Sequence, residues 1–357
     1  MTPVSPLRID CRRAARLSSA RLRALLGALA LAGLAACGDS ATVAGVTKPS
    51  FSRVIAFGDS LTDVGTYAPA VASVGGGKFT TNPGPVWPEL IATSLGLTIT
   101  PWETGGFGAP VTVKNGFGYA QGGARVSKQP GVDCVYVAAS NSCDTTQGPI
   151  TLPQGAQLDA QLARGNFTAT DLIFVFGGNN DVIFHAGLVA TAAENQATAL
   201  AEVTTAANDE AAQLERILAT GGKYVVAFKL PDVSRTPDGV ATGTQLQAVI
   251  SALVVQFNTT LVQQIAVRKL DVVTVDGFAL VNDELSNPGK YGFTNTSGTA
   301  CNLTLTQGTS LLCSAATLVA TGADQTYLFA DGKHPTSRGH KSIADAVTAA
   351  MKAAGWI

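Results

Sequence analysis

Charged residues are scarce in this chain. They make up 14% of its 357 residues, well below the quarter that is usual for soluble proteins. The 24 Lys and Arg against 25 Asp and Glu leave a net charge of −1, and they form no basic patch, which argues against nucleic acid as a partner. A sequence poor in charge but rich in Thr, Gln, Asn and Gly is more typical of an exported protein than of a cytosolic one.

The apolar run near the N-terminus is too short to cross a membrane comfortably. ALLGALALAGLAAC follows a cluster of arginines and ends in small residues, so residues 1–36 are assigned to a signal peptide. LAAC resembles a lipobox, which predicts that Cys37 is acylated, anchors the protein to the cell envelope and begins a tether over residues 37–50. The alternative is ordinary cleavage near Ala36, which leaves Cys37 unmodified and the protein freely secreted.

Cysteine is also infrequent, with six in the chain. Cys11 leaves with the signal peptide and Cys37 carries the lipid. Four remain in two local pairs: Cys134, Cys143, Cys301 and Cys313. Of the three possible connectivities, Cys134–Cys143 and Cys301–Cys313 are the economical disulfides. Neither pair has a CxxC spacing or an accompanying histidine, so we expect no metal site.

From residue 53 onward, short apolar runs alternate with helical stretches. Four continuous apolar runs predict strands buried on both faces: Arg53–Phe57, Asp171–Phe176, Lys223–Leu230 and Asp271–Asp276. Five stretches predict helices: Val86–Leu95, Gln154–Ala163, Thr191–Thr220, Thr244–Arg268 and Ser337–Ala354. This alternation predicts an α/β fold, a doubly wound parallel sheet with helices on both faces, in one domain over residues 51–357.

Two long segments do not follow this alternation. Pro101–Pro149 and Glu284–Ala330 are rich in Gly, Thr and Asn, and each contains one cysteine pair. Because loops of this length usually have a function or a covalent brace, we interpret both as disulfide-clipped excursions over the site.

The first strand-like run ends at Gly-Asp-Ser, with Ser60 just beyond it. Ligands of doubly wound sheets bind beyond the carboxyl ends of the strands, so Ser60 lies where an active site forms. The same tripeptide at Gly38–Ser40 lies in the tether with no strand before it, and we interpret it as coincidence.

Only three histidines are available as a base for a nucleophilic serine. In FADGKHPTSRGH, Asp331 precedes His334 by three residues, so one short loop can hold a carboxylate against the imidazole Nδ1 while Nε2 faces a serine. His340 falls within the next helix and is predicted to be a surface or packing residue. His185 could line a pocket, but an ordinary helix histidine is the simpler interpretation.

Two further segments could supply donors to an oxyanion. In VFGGNNDV, the Asn and Asp residues either cap a helix, or one Asn amide donates to the oxyanion. In GYAQGGARV, Gly123 either only allows a turn of positive φ or presents its backbone N–H to a substrate.

FGDSLTDVG, YAQGGARV, GGNND and DGKHP occur in this order and together resemble the four blocks of the GDSL, or SGNH, hydrolase family. The resemblance runs from about residue 53 to the C-terminus. GKFTTNPGPVWPELIA and FKLPDVSRTP are similar to its lipase and acyltransferase branch. The resemblance implies a flavodoxin-like fold and a serine esterase or lipase that needs no cofactor and acts on lipid, short-chain acyl or polyester substrates.

Carried over by motif, the resemblance implies a role for each of five residues. Ser60 is the nucleophile, and Asp331 and His334 complete the triad. The Ser60 N–H, Gly123 and Asn180 form the oxyanion hole, since the donor is the Asn immediately before Asp in the third block.

The chain departs from the family pattern at two positions. Gly118 stands where the second block usually begins with Asn, so we expect another residue, Asn115 for example, to supply that brace. Val64 replaces a commoner Thr or small residue after Asp63, a change that we expect to be harmless.

The substrate is less defined by the sequence. Five aromatic residues near the second block either line a pocket for an acyl chain or aromatic ester, or form a second small core under the disulfides: Trp87, Trp102, Phe107, Phe117 and Tyr119. The alternatives to ester hydrolysis are acyl transfer or carbohydrate O-acetyl ester hydrolysis on the same site, or non-catalytic binding by a surface lipoprotein.

Overall fold

The computed structural model describes residues 48–357, so the expectations for the signal peptide, for Cys37 and for most of the tether lie outside the described residues. Ten strands occur in the described part: β1 Arg53–Gly58, β2 Glu103–Gly106, β3 Ala109–Val113, β4 Tyr136–Val137, β5 Ser142–Cys143, β6 Asp171–Phe176, β7 Tyr224–Lys229, β8 Val273–Asp276, β9 Asn295–Thr299 and β10 Tyr327–Phe329.

The four apolar runs form one parallel sheet in the order β1-β6-β7-β8. The interiors of β1, β6 and β7 are almost completely buried, as expected for strands covered on both faces. At the start of β1, Arg53 forms a two-pronged ion pair with Asp171 of β6, which sets the register of the first pair. The predicted parallel α/β sheet is confirmed.

Eleven α-helices occur in the same residues: α1 Ala68–Val71, α2 Trp87–Ser94, α3 Gln154–Arg164, α4 Asn179–Ala190, α5 Gln196–Ala219, α6 Pro237–Ala241, α7 Thr244–Val267, α8 Gly277–Ser286, α9 Pro288–Tyr291, α10 Ala323–Thr326 and α11 Ser337–Ala353. Four of the five predicted helices agree to within one residue at each end. The prediction of one helix over Thr191–Thr220 is wrong at its start, because α5 begins at Gln196, where the Asn195 side chain accepts a hydrogen bond from the Thr198 N–H at 2.9 Å.

Helices cover both faces of the sheet. Helices α2 and α11 pack against each other, and α2 places Trp87 against Phe174 of β6 and Phe228 of β7. Helices α5 and α7 pack together on the other face. Because successive strand residues point to opposite sides of the sheet, both faces carry side chains that helices can cover. By length and composition α7 could cross a membrane, but here residues such as Phe257 and Leu261 bury one of its faces in the core.

The segment that carries the second sequence block runs parallel to β1 along its free edge. The Tyr119 N–H donates to the Ala56 carbonyl at 2.8 Å, and the Gln121 N–H donates to the Gly58 carbonyl at 3.2 Å. The two departures from the family pattern meet here, since a Cβ atom at Gly118 would lie 2.4 Å from Cγ2 of Val64. The Val64 side chain therefore occupies the space that a side chain at position 118 would need.

Asn115 does not supply the brace that we expected from it. Its carbonyl oxygen accepts a hydrogen bond from Arg164, and its own side chain is exposed. The second block is held instead by Asp63, whose Oδ2 accepts from the Gly122 N–H at 3.0 Å while Oδ1 accepts from Gly65 and Thr66.

Both predicted disulfides are formed, Cys134–Cys143 and Cys301–Cys313. The first closes the small β4–β5 hairpin. The second braces the loop over residues 301–313, whose Leu311 packs with Tyr67 and Val71 in a small core separate from the main one. The second excursion is thus attached to the rest of the domain by its own packing.

Candidate active site

The structure brings Ser60 and His334 together from positions 274 residues apart in the chain. Ser60 follows the end of β1, and His334 lies in the turn between β10 and α11. The His334 Nε2 atom lies 2.8 Å from Ser60 Oγ, which is hydrogen-bond distance. Both side chains are largely buried, with 8% of Ser60 and 6% of His334 exposed.

Asp331 lies on the other side of the imidazole. Its Oδ2 is 2.7 Å and its Oδ1 is 3.0 Å from His334 Nδ1. The backbone N–H groups of Lys333 and His334 donate to Oδ1 at 3.0 and 2.8 Å, and the Ser310 N–H donates to Oδ2 at 2.6 Å. The carboxylate is therefore fixed by the turn itself and by the loop that the Cys301–Cys313 disulfide braces.

These contacts determine the charge of Asp331. Burial by itself raises the pKa of this carboxyl, but the attraction of His334 and the hydrogen bonds from His334, Ser310 and Lys333 outweigh it. The result is a pKa well below the ordinary value, so Asp331 is ionised at neutral pH and holds the proton of the imidazole on Nδ1.

Phe79 and His340 lie behind the imidazole. The contact of Phe79 with His334 was not predicted from the sequence, whereas packing was one of the two roles predicted for His340. The Phe79 ring lies 4.9 Å from the His334 ring, centroid to centroid. The His340 Nε2 lies 3.4 Å from the Phe79 carbonyl, and its Nδ1 accepts from the Trp87 N–H at 3.4 Å. His340 is completely buried, so it is a packing residue, and burial lowers its pKa to about 3.

The three residues predicted to donate to an oxyanion are Ser60, Gly123 and Asn180. Asn180 is in the first turn of α4, and its Nδ2 donates to the Ala124 carbonyl at 2.8 Å. Gly123 has φ +81°, so the turn requires a positive φ at this position, whether or not the Gly123 N–H also contacts a substrate. Within residues 48–357, the N–H groups of Ser60 and Gly123 have no intramolecular acceptor. Ser60 lines the cavity described below, whereas Gly123 does not.

The Asn and Asp residues of the third block do not cap α4, contrary to the capping interpretation. The N-cap residue is Gly178. Asn179 donates to Asp59 at 3.3 Å, while Asp181 accepts from the Arg125 side chain at 3.0 Å and from the Val126 N–H at 2.9 Å. This buried contact joins the second block to the third directly beside Asn180.

His185 completes this polar cluster and does not line the cavity next to Ser60. Its Nε2 lies 3.0 Å from Arg125 Nη2, and its Nδ1 lies 2.8 Å from Glu194 Oε2. Since arginine only donates, Nε2 accepts and Nδ1 carries the proton. His185 is thus a buried structural residue of α4.

A cavity of about 80 Å³ opens beside Ser60, His334 and the two asparagines. Its walls are mainly apolar and come from the ends of β6, β7 and β8 and from helices α8 and α11: Phe176, Phe228, Val275, Leu280, Val281 and Ile343. None of the five aromatic residues near the second block lines it. Trp87 and Tyr119 belong to the main core, so for these two residues both the pocket interpretation and the interpretation as a second small core are wrong.

The family is established by comparison with known proteins. The model of the GDSL-like lipase/acylhydrolase family matches residues 54–347. The chain belongs to this family. Among the curated relatives of this GDSL-family chain, the esterase EstA of Pseudomonas aeruginosa is 25% identical over 94% of the chain and 51% of its own length. The phosphatidylcholine-sterol acyltransferase of Aeromonas hydrophila is 26% identical over 54% of the chain and 48% of its own length.

The GDSL-family chain spans about half the length of these curated relatives. Among solved structures, an extracellular lipase from Streptomyces rimosus is similar with 17% identity and a TM-score of 0.42, covering 83% of this chain and 98% of its own.

We predict that the Ser310 N–H contributes to catalysis. Ser310→Pro removes this donor at the first position of a short 3₁₀ helix and places the proline Cδ where the N–H points, so it also displaces the Asp331 carboxylate. Because a hydrogen bond to a charged group contributes about 1.5–3 kcal/mol, we expect kcat for an ester substrate to fall by about 10- to 150-fold or more, with KM little changed. Ser310→Ala is the control, since it retains the N–H and removes a hydroxyl that has no partner among the described residues. Equal kcat values for the two variants would refute the prediction.

Proposed function

We propose that this protein is a serine esterase or lipase that hydrolyses carboxylic esters through an acyl-serine intermediate. The observation that carries the proposal is the unbroken hydrogen-bond chain from Ser60 through His334 to Asp331, with distances of 2.8 and 2.7 Å. A serine hydroxyl is a weak nucleophile until an adjacent base accepts its proton. Membership of the GDSL family and the likeness to the EstA esterase support the same chemistry.

In the proposed reaction, Ser60 Oγ attacks the ester carbonyl while its proton passes to His334 Nε2. Asp331 holds Nδ1–H and stabilises the imidazolium that forms. His334 then gives the proton to the departing alkoxide, which leaves as the alcohol and leaves the acyl group on Ser60. Water then attacks the acyl-serine while its proton passes to His334. As the bond between the acyl carbon and Ser60 Oγ breaks, His334 returns this proton to Oγ, and the carboxylic acid is released.

The oxyanion of each tetrahedral intermediate needs donors that are already in place. We assign these to the backbone N–H groups of Ser60 and Gly123 and to the side-chain amide of Asn180. The free state of both N–H groups and the fixed position of the Asn180 amide against the Ala124 carbonyl support this assignment.

Acyl transfer to another alcohol is the second candidate function. It is favoured by the likeness to the sterol acyltransferase, which covers 54% of the chain. It uses the same acyl-serine, and product analysis with a sterol or another alcohol acceptor separates it from hydrolysis.

Ser60→Ala is expected to abolish ester hydrolysis and labelling by a fluorophosphonate, because both require the Oγ nucleophile. The measurement is turnover of p-nitrophenyl esters from acetate to decanoate, followed by labelling. Ser40→Ala, in the other Gly-Asp-Ser, is the control and should behave as wild type. If Ser60→Ala keeps more than about a tenth of the activity, the assignment fails; a profile restricted to acetate would favour O-acetyl ester hydrolysis.

Asn180→Ala is expected to lower kcat by about 10²–10³, the usual cost of removing one oxyanion donor. Asn179→Ala is the matched control, because Asn179 lies beside the same cavity but donates to Asp59. Steady-state kinetics of both variants decide the question. A larger loss of kcat for Asn179→Ala would show that the donor has been misassigned.

Cys37 lies outside the described residues. Its acylation would determine where the protein is located. We propose that the protein is exported and anchored to the cell envelope through a lipidated Cys37. In a bacterial host, the wild type should incorporate an alkyne-labelled fatty acid and fractionate with membranes, while Cys37→Ser should do neither. Cys11→Ser is the control and should still be labelled; labelling of Cys37→Ser would exclude this anchor.

A further inference from the structure

Glu284 is an acid in an otherwise apolar wall of the cavity. It lies in α8, where Gly277, Val281 and Glu284 form the buried side of the helix. This spacing of four and three residues normally carries apolar side chains. Glu284 is only 4% exposed, lines the cavity that opens beside Ser60, and takes no part in the proposed chemistry.

The other charged groups that line the cavity are already engaged. Asp59 accepts from the Leu61 N–H and from Asn179, and Lys333 lies 3.6 Å from Asp238. His334 belongs to the triad. Glu284 contacts Ser342 of α11 through Oε1, and its Oε2 has no partner among the described residues.

The contacts of Ser342 indicate which atom carries the proton. Its hydroxyl has one hydrogen but lies within hydrogen-bond distance of two acceptors, Glu284 Oε1 and the Gly339 carbonyl. A neutral Glu284 resolves this, because its own proton goes to Ser342 Oγ while Ser342 donates to Gly339. Burial raises the pKa of Glu284 to about 7, which keeps the neutral form populated.

In this arrangement Oε2 is the carbonyl oxygen of a neutral carboxyl group and has no donor among residues 48–357. Several side-chain atoms in the described residues are both fully buried and without a partner, and Oε2 is not one of them. Because Oε2 has no partner, it must therefore retain some accessible surface. An alkyl chain laid against this oxygen would leave it without a hydrogen bond, whereas a hydroxyl group on the chain would satisfy it.

We propose that Glu284 is a specificity-determining residue of the acyl cavity, which accepts a hydrogen bond from a hydroxyl on the acyl chain and so favours hydroxyacyl esters over unsubstituted ones. The proposal rests on the proposed function, since it requires that the acyl group enters this cavity. A site that hydrogen-bonds a substrate hydroxyl discriminates against analogues that lack it. Glu284 and Ser60 line the same cavity, so an acyl group that enters it from Ser60 can bring a hydroxyl to Glu284.

The test compares methyl butanoate with methyl 3-hydroxybutanoate, and methyl hexanoate with methyl 6-hydroxyhexanoate, with acid release followed in a pH-stat. We expect wild-type kcat/KM to be about tenfold higher for the hydroxylated ester in at least one pair. Glu284→Met, which keeps the side-chain length, should reduce this ratio to one or below. Glu284→Gln retains an acceptor and a donor to Ser342, and should preserve the ratio.

Two controls separate specificity from stability. Ser342→Ala removes the helix contact but keeps Oε2 and should preserve the ratio, whereas a purely structural role would make it behave like Glu284→Met. Glu210→Gln changes another buried acid, one that contacts Gln154 and does not line the cavity, and should leave the ratio unchanged.

The outcomes distinguish the two proposals. If methyl acetate is not hydrolysed and fluorophosphonate does not label the wild type, the proposed function fails. If methyl acetate is hydrolysed but the wild-type ratio is one or below in both pairs, or Glu284→Met leaves it unchanged, only the role of Glu284 is overturned. If Glu284→Met does not fold, the wild-type ratio decides.

Discussion

The site depends on one hydrogen bond, between the first strand's serine and a histidine near the C-terminus. His334 and Ser60 are 274 residues apart in the chain, so neither can be positioned by local structure. The parallel sheet fixes the end of β1, and the β10–α11 turn holds the imidazole from the other side. Asp331 keeps the ring in one orientation because three backbone N–H groups and Nδ1 already fix its carboxylate.

The sequence predicted the parts of the structure that follow from local chemistry. Buried strands appear as continuous apolar runs, so β1, β6 and β7 were located within a residue or two. Short spacing between cysteines favoured the two disulfides that form. The meeting of Ser60, Asp331 and His334 could be anticipated because strand ends converge at one edge of a parallel sheet and because Asp331 and His334 share one turn.

The features of the site that were not predicted depend on tertiary contacts, which leave no periodic pattern in the sequence. Ser310 reaches Asp331 through a backbone N–H, which no residue type reveals. Trp87 and Tyr119 were candidates for a pocket, but they lie in the core. One wall of the cavity comes from α8, a helix that was not predicted. The contact between positions 118 and 64 could not be inferred from the sequence. There, Gly118 appears only as a missing side chain and Val64 only as a neutral substitution.

The positions of the triad residues also bear on how the protein matures. A chain that is made and exported from its N-terminus presents Ser60 early and His334 late. Ser60 then has no base until α11 has docked on the sheet. Until then no oxyanion forms for the neighbouring N–H groups to stabilise. The complete arrangement of Ser60, His334 and Asp331 therefore forms only when the C-terminal turn has joined the sheet, late in folding.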